Sequence, residues 1–285
     1  MQNQQVSLAD LTADLEWAQI APDKVIVATE ERSWLCHPSL IQDDRFARPM
    51  PETSNIATTQ KLLDGAIAAA KYTVNSDARP PKLTATRWVW RLAGQYHLCH
   101  STSKLMEQAA KGFASSKDWS LAEWAKEKAK EEAGHDRLAL LDIKSLGYDA
   151  KMVVEVLVPP AAKALLDYFT RSAQANNPID CVGYSYTGER LAICREEKYI
   201  HQVESLLPLG IQATRCLRLH SGLGGDVEHV EETVETVAKL TSQQRTRVAR
   251  TCYEAALLRF SPPTNYISDS EIEQILEPLK LNKSL

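Results

Sequence analysis

Apolar residues recur at three- and four-residue intervals over most of this chain, the spacing that lines one face of a helix. Residues 7–19 (SLADLTADLEWAQ) fit a short amphipathic helix. The following stretch has no clear period and is broken at Pro38 and Pro51, so residues 1–54 are expected to form an irregular arm or lid. Regular spacing resumes at 55–75. The SDARPPK turn stops it, because paired prolines end helices. A longer helix is predicted over 84–113. Ser120 with Glu123 three residues on reads as a capping box for a third helix, running to Leu146 with Gly147 as its stop.

Residues 149–175 predict a fourth helix interrupted at Pro159 and Pro160, and NNPID a loop. The segment YSYTGERLAICREEKYI predicts a fifth helix, Pro208 breaks the chain, and IQATRCLRLHSGL resumes it. Helices over 226–239 and 242–260 complete the core. After the SPPTNYISDS linker, a peripheral helix is expected over 269–280. Strand-like alternation never lasts more than a few residues, and no solenoid-length repeat is present. The pattern predicts an all-α chain with a single helical domain over 1–285, its chemistry over 85–260 and a peripheral segment over 261–285.

Composition changes this picture little. Eleven glycines in 285 residues, and a middle rich in Ala, Leu, Glu and Lys, favour helix. A net charge of -4 offers no basic surplus for nucleic acid. Six cysteines (36, 99, 181, 194, 216 and 252) contain no C-x-x-C pair, against a zinc ribbon and in favour of buried thiols in a reducing compartment. The start lacks a basic and apolar leader, and no run is long enough to span a membrane, so a cytoplasmic location is expected.

Candidate chemistry lies in three places. In KEEAGHDRLALLDIKSLG, Glu132 and His135 are three apart and would share a helical face. In HSGLGGDVEHVEE, Asp226 and His229 repeat that spacing. Glu189 stands in the apolar and aromatic GYSYTGERLA, where a buried carboxylate needs a partner. Carboxylates and imidazoles together suit iron, and two irons call for bridging carboxylates as well as histidines. Glu131, four residues before His135, competes with Glu132.

The order of E-x-x-H, a Y-x-x-x-E-like helix and H-S-…-D-x-x-H-V, over roughly residues 85–260, resembles the heme-oxygenase-like di-iron oxidases. These are relatives of the thiaminase and pyrroloquinoline-quinone synthase helical fold. The resemblance implies a bundle of about seven core helices. It also implies two ferrous ions per chain, held by Glu132, His135, Glu189, His220, Asp226 and His229. The activity it implies uses dioxygen on a small amino-acid-like or fatty-acid-like substrate, through N-oxygenation or oxidative C–C cleavage. A homodimer is compatible with it. Neither nucleic acid nor membrane is expected as a partner.

His220 departs from the family spacing. At i, i+6 and i+9 with Asp226 and His229, a straight helix would turn it away from His229, unless Gly222, Gly224 and Gly225 open the helix. A ferritin-like plan would instead recruit Glu107. His97 and His100 read as satisfied structural histidines, and Tyr184, Tyr186 and Tyr199 as packing. A metal-free, thiaminase-like enzyme would need a nucleophile such as Cys181 or Cys194. Hydrolase and nucleotide-binding glycine motifs are missing.

Overall fold

The computed structural model describes residues 15–38, 50, 52–74, 81–222, 226–261 and 267–281, the Asp226 side chain excepted. Parts of the expected elements lie outside these residues: 7–14 of the first helix, most of 39–51, most of SDARPPK and 262–266 of the last linker. Two units divide the chain. One comprises Met1–Asn75, Val182–Thr187 and Glu231–Phe260; the other comprises Ser76–Cys181, Gly188–Val230 and Ser261–Leu285.

The chain is mostly helical, as expected, and the first unit adds a small sheet to it. Strands β1 (Glu16–Ala21), β2 (Lys24–Ala28) and β3 (Ser33–Cys36) form an antiparallel sheet in the order β1-β2-β3, where an irregular arm was expected and where residues 16–19 were read as the end of a helix. Helix α1 (Ile56–Thr73) starts at Asn55, whose side chain accepts from the Ala57 amide. It buries Leu62, Leu63 and Ala66 and packs on the sheet. Gly65 permits this approach, since a Cβ there would fall 2.7 Å from the Ser33 hydroxyl.

Helix α11 (Ser242–Phe260) is also in this unit and runs along α1 and β1. Within its apolar face lies Arg245, wholly buried, with its guanidinium 2.7 Å from the buried carboxylate of Glu16. Arg245 also donates to the carbonyls of Glu52 and Leu240. A buried charge is tolerated only with such compensation.

The second unit is built on α2 (Ala85–Ser115), which packs against α3 (Trp119–Glu131), α4 (Asp136–Ser145), α5 (Ala150–Val156) and α6 (Pro160–Ala173). The third helix is thus two helices. Its N-cap residue is Asp118 rather than Ser120, without a side-chain cap bond, and Trp119 and Ser120 are already helical. Pro159 and Pro160 do separate α5 from α6, and Gly147, at φ +87°, ends α4. The fifth helix divides into α7 (Asp180–Ile193) and α8 (Glu197–Glu204). After Pro208, α9 (Arg215–Leu219) is the only helix among the described residues before α10 (Asp226–Ala238). Helices α7 and α10 contribute residues to both units.

Trp88, Leu92, Ile143, Val153, Ile200 and Leu217 share one core. Each such apolar side chain contributes roughly 1.5–3 kcal/mol by leaving water. The last helix, α12 (Asp269–Leu276), is no periphery: Ile272 and Leu276 enter this core. It starts in a capping box of Ser268 with Glu271, and its Asp269 accepts from Thr84 and pairs with Arg87. Twelve α-helices are present among the described residues, and none is long and apolar enough to cross a membrane.

Candidate metal centre

Glu132 and His135 meet through a turn, not along a helix. The α3 ladder closes with the Glu132 amide donating to Lys128, and the His135 amide then donates to Glu132. Between them Gly134 adopts φ +87°, a left-handed conformation that costs glycine little and side chains more. The chain reverses enough for Glu132 Oε2 to lie 3.2 Å from His135 Nδ1.

His220 arrives from the end of α9, at φ -94° and ψ 58°, outside helical space. Helix α9 therefore ends at His220; Gly224 and Gly225, two of the glycines expected to open the helix, lie outside the described residues. Asp142 sets the position of α9. Its buried carboxylate accepts from the Arg215 and Cys216 amides at 3.2 and 3.0 Å and from the Arg215 guanidinium at 3.0 Å. Burial still holds the Asp142 carboxyl above its ordinary value, against the pull of these bonds. Glu204 of α8 binds Thr214 and Arg218 from the other side.

One donor atom each from Glu132, His135 and His220 lies within 4.8 Å of the others. The rings of His135 and His220 meet edge to face, 5.1 Å apart at 72°. Burial pushes the Glu132 carboxyl up, but the His135 hydrogen bond and the charges of His220, His135 and Lys128 outweigh it and leave it low. Two imidazoles and one carboxylate, contributed by two separate segments, suit one ferrous ion with coordination positions left over.

A second group gathers the remaining carboxylates, and at its centre is a residue that sequence reasoning missed. Lys128, 2% exposed, places its ammonium 3.1 Å from Glu131 and 3.4 Å from Glu189. His229 Nε2 lies 3.4 Å from the same Glu131 oxygen. Glu131 and Glu132 thus serve different groups: Glu132 faces His135, and Glu131 faces Lys128 and His229. This second set does not fit a metal ion while Lys128 remains charged in place, since the ammonium already supplies the cation between two carboxylates. The Asp226 side chain lies outside the described residues. The signal for Lys128 was its spacing, because Leu121, Ala125 and Lys128 fall on the buried face of α3.

A third set, Cys99, Cys216 and His220, is buried and mutually within 4.8 Å. The Cys216 thiol donates to Cys99. That bond, with help from His220, holds Cys99 well below the usual thiol value despite burial, and pushes Cys216 up. No local spacing announced this set, since its members come from α2 and α9.

The remaining candidates stand elsewhere. Glu107 is exposed on α2, so the ferritin-like plan gains nothing from it. His97 bonds the Leu157 carbonyl and His100 pairs with Asp136, both structural roles. Tyr186 donates to Asp64 within the first unit, Tyr184 is buried, and Tyr199 accepts from Arg91. Cys181 is wholly buried, which pushes its thiol up and away from nucleophilic use. Cys194 is exposed and lines a shallow surface cleft of about 370 Å³ with Arg195, Lys198 and Tyr199.

No family model and no curated protein matches the chain. Solved structures do. One is a domain of unknown function with a heme oxygenase-like fold from Shewanella denitrificans OS217. It is 22% identical, with a TM-score of 0.55 over 77% of this chain and 88% of that one. Another is a TenA homolog from Pseudomonas syringae pv. tomato DC3000. It is 12% identical, with a TM-score of 0.51 over 75% of this chain and 98% of that one. The helical arrangement that carries these side chains is therefore the heme-oxygenase-like fold.

Proposed function

We propose that this chain is a non-heme iron oxidase whose iron is held by Glu132, His135 and His220. The observation that carries this reading is the convergence of two imidazoles and one carboxylate within 4.8 Å, with His220 buried and Glu132 and His135 partly so. That donor set, with positions left open, is characteristic of iron centres that activate dioxygen. The iron, when bound, would supply dioxygen chemistry on a small amino-acid-like or fatty-acid-like substrate. Glu132 offers a carboxylate ligand, its carboxyl held, despite burial, below its ordinary value by His135 and the neighbouring charges. His135 and His220 are fixed by the Gly134 turn and by Asp142 through α9.

The two-iron expectation is narrowed in this proposal. Lys128 places its ammonium beside Glu131 and Glu189, and His229 reaches the same Glu131 oxygen, so a cation already occupies the neighbourhood of these expected ligands. One tightly held iron per chain is proposed, with the second position closed unless Lys128 is withdrawn. The test is anaerobic ferrous loading followed by metal analysis, with oxygen uptake on amino acids and fatty acids. Wild type should hold iron and consume oxygen with one of these classes. Glu132→Gln and His220→Ala should lose both properties. Iron retained in both variants would remove the site from consideration.

A metal-independent, thiaminase-like reading is kept alongside, on one observation: Cys99 Sγ lies 3.8 Å from His220 Nε2, a thiol–imidazole pairing suited to nucleophilic work. Activity that survives complete chelation and disappears in Cys99→Ser would select it.

A further inference from the structure

We infer that Cys99, Cys216 and His220 form a separate position for a thiophilic cation, of the class Zn(II), Cd(II) or Cu(I). The three residues come from two places in the fold: Cys99 from the middle of α2, Cys216 and His220 from α9 and its cap. They are 6%, 1% and 8% exposed. Cys99 Sγ lies 3.8 Å from His220 Nε2, and all three donor atoms are within 4.8 Å of one another. Two sulfurs and one nitrogen, without a carboxylate oxygen, make a soft donor set. Such a set selects against Mg(II) and Ca(II) and favours cations that bond to sulfur. Cys₂His with one open place is an established zinc arrangement.

The position is built on rigid parts. Cys99 is held within a 31-residue helix, and the Cys216 amide is fixed by Asp142 at 3.0 Å. Binding converts both thiols to thiolates and releases two protons to solvent, so no oxidant or reductant is involved. His220 is common to this set and to the Glu132–His135–His220 set. Occupancy of one position is therefore coupled to occupancy of the other through the His220 ring. The geometry of the two thiols carries this inference, which stands whether or not iron is the metal at Glu132.

The test is titration of the metal-free full chain with Cd(II), following thiolate-to-cadmium charge transfer in the ultraviolet. Wild type and Glu132→Gln should develop the band at one equivalent. Cys99→Ser with Cys216→Ser should lose it while keeping a native circular-dichroism spectrum. Cadmium-113 NMR of the wild type gives an answer independent of any variant. A shift in the range for two sulfurs and nitrogen supports the inference; a shift in the range for oxygen and nitrogen alone overturns it. A band that persists in the double variant also overturns it, because the exposed Cys194 or another thiol would then be the ligand.

Discussion

The Lys128 ammonium lies 3.4 Å from the Glu189 carboxylate, and both side chains are almost completely buried. Together with Glu131 at 3.1 Å, this makes Lys128 the internal cation of the second carboxylate group. Breaking a buried pair by removing one partner leaves the other charge without compensation. Lys128→Met keeps the length of the side chain and removes its charge. The metal-free variant should lose about 3–5 kcal/mol of stability. Its Glu131, Glu189 and His229 should then take up a metal, raising cobalt(II) bound per chain from one to two and recovering part of the lost stability. Denaturant unfolding with and without cobalt, together with metal analysis, decides it. An unchanged stoichiometry would mean that these residues form only an ion-pair network.

The buried Glu16–Arg245 pair makes a prediction for the first unit alone. Glu16→Ala strands a guanidinium that is wholly buried, and should cost about 3–5 kcal/mol. Replacing both residues, Glu16→Leu with Arg245→Met, should recover most of that loss, because apolar substitutes avoid the desolvation of both charges. Metal binding by Glu132, His135 and His220, all in the second unit, should be unchanged in whatever fraction remains folded. Chemical unfolding of the single and double variants checks the order.

This pair also shows where the sequence was hard to read. Strand β1 alternates inward and outward, but one inward position is the charged Glu16, so the apolar alternation that marks a strand is broken. Strand β2 (KVIVA) is buried at four consecutive positions and shows no alternation at all. The long helices were legible because their apolar spacing is set locally. Glu132 and His135 do lie together, but not for the expected reason: they meet through the Gly134 turn and not along a helix. Lys128 and the Cys99–Cys216 pair owe their roles to residues on other helices. No spacing along the chain reports such a partner, although the place of Lys128 on the buried face of α3 was a usable sign.

Acid should loosen the last helix first. The Thr84 hydroxyl, opposed by partial burial and aided by Arg87, holds the Asp269 carboxyl below its ordinary value. A depressed carboxylate stabilises the fold at pH above its unfolded pKa, and that contribution is lost as pH falls through the folded value. Protection of the Ile272 and Leu276 amides against hydrogen exchange should therefore hold at neutral pH and decline below about pH 4. Asp269→Asn should show weaker protection at neutral pH and no such decline. Equal pH profiles for the variant and wild type would assign the acid sensitivity to other groups.

Asp142 should control the metal site without touching the metal. Its carboxylate receives the first two amides of α9, and α9 delivers Cys216 and His220. In Asp142→Asn one acceptor oxygen becomes an amide nitrogen that faces an N–H donor, so one end of α9 loses its anchor. His220 should then be held less precisely, and cobalt affinity at the Glu132–His135–His220 set should fall about 10–100-fold, the usual effect of removing a residue that orients a ligand. General destabilisation would mimic this only if affinity followed stability. Glu16→Ala supplies the comparison, since it should lose more stability than Asp142→Asn and retain full cobalt affinity in its folded fraction. Isothermal titration of both variants under conditions where each is folded separates the two effects. Equal cobalt affinity in Asp142→Asn and wild type would show that His220 is placed by α2 and the α3–α4 turn alone.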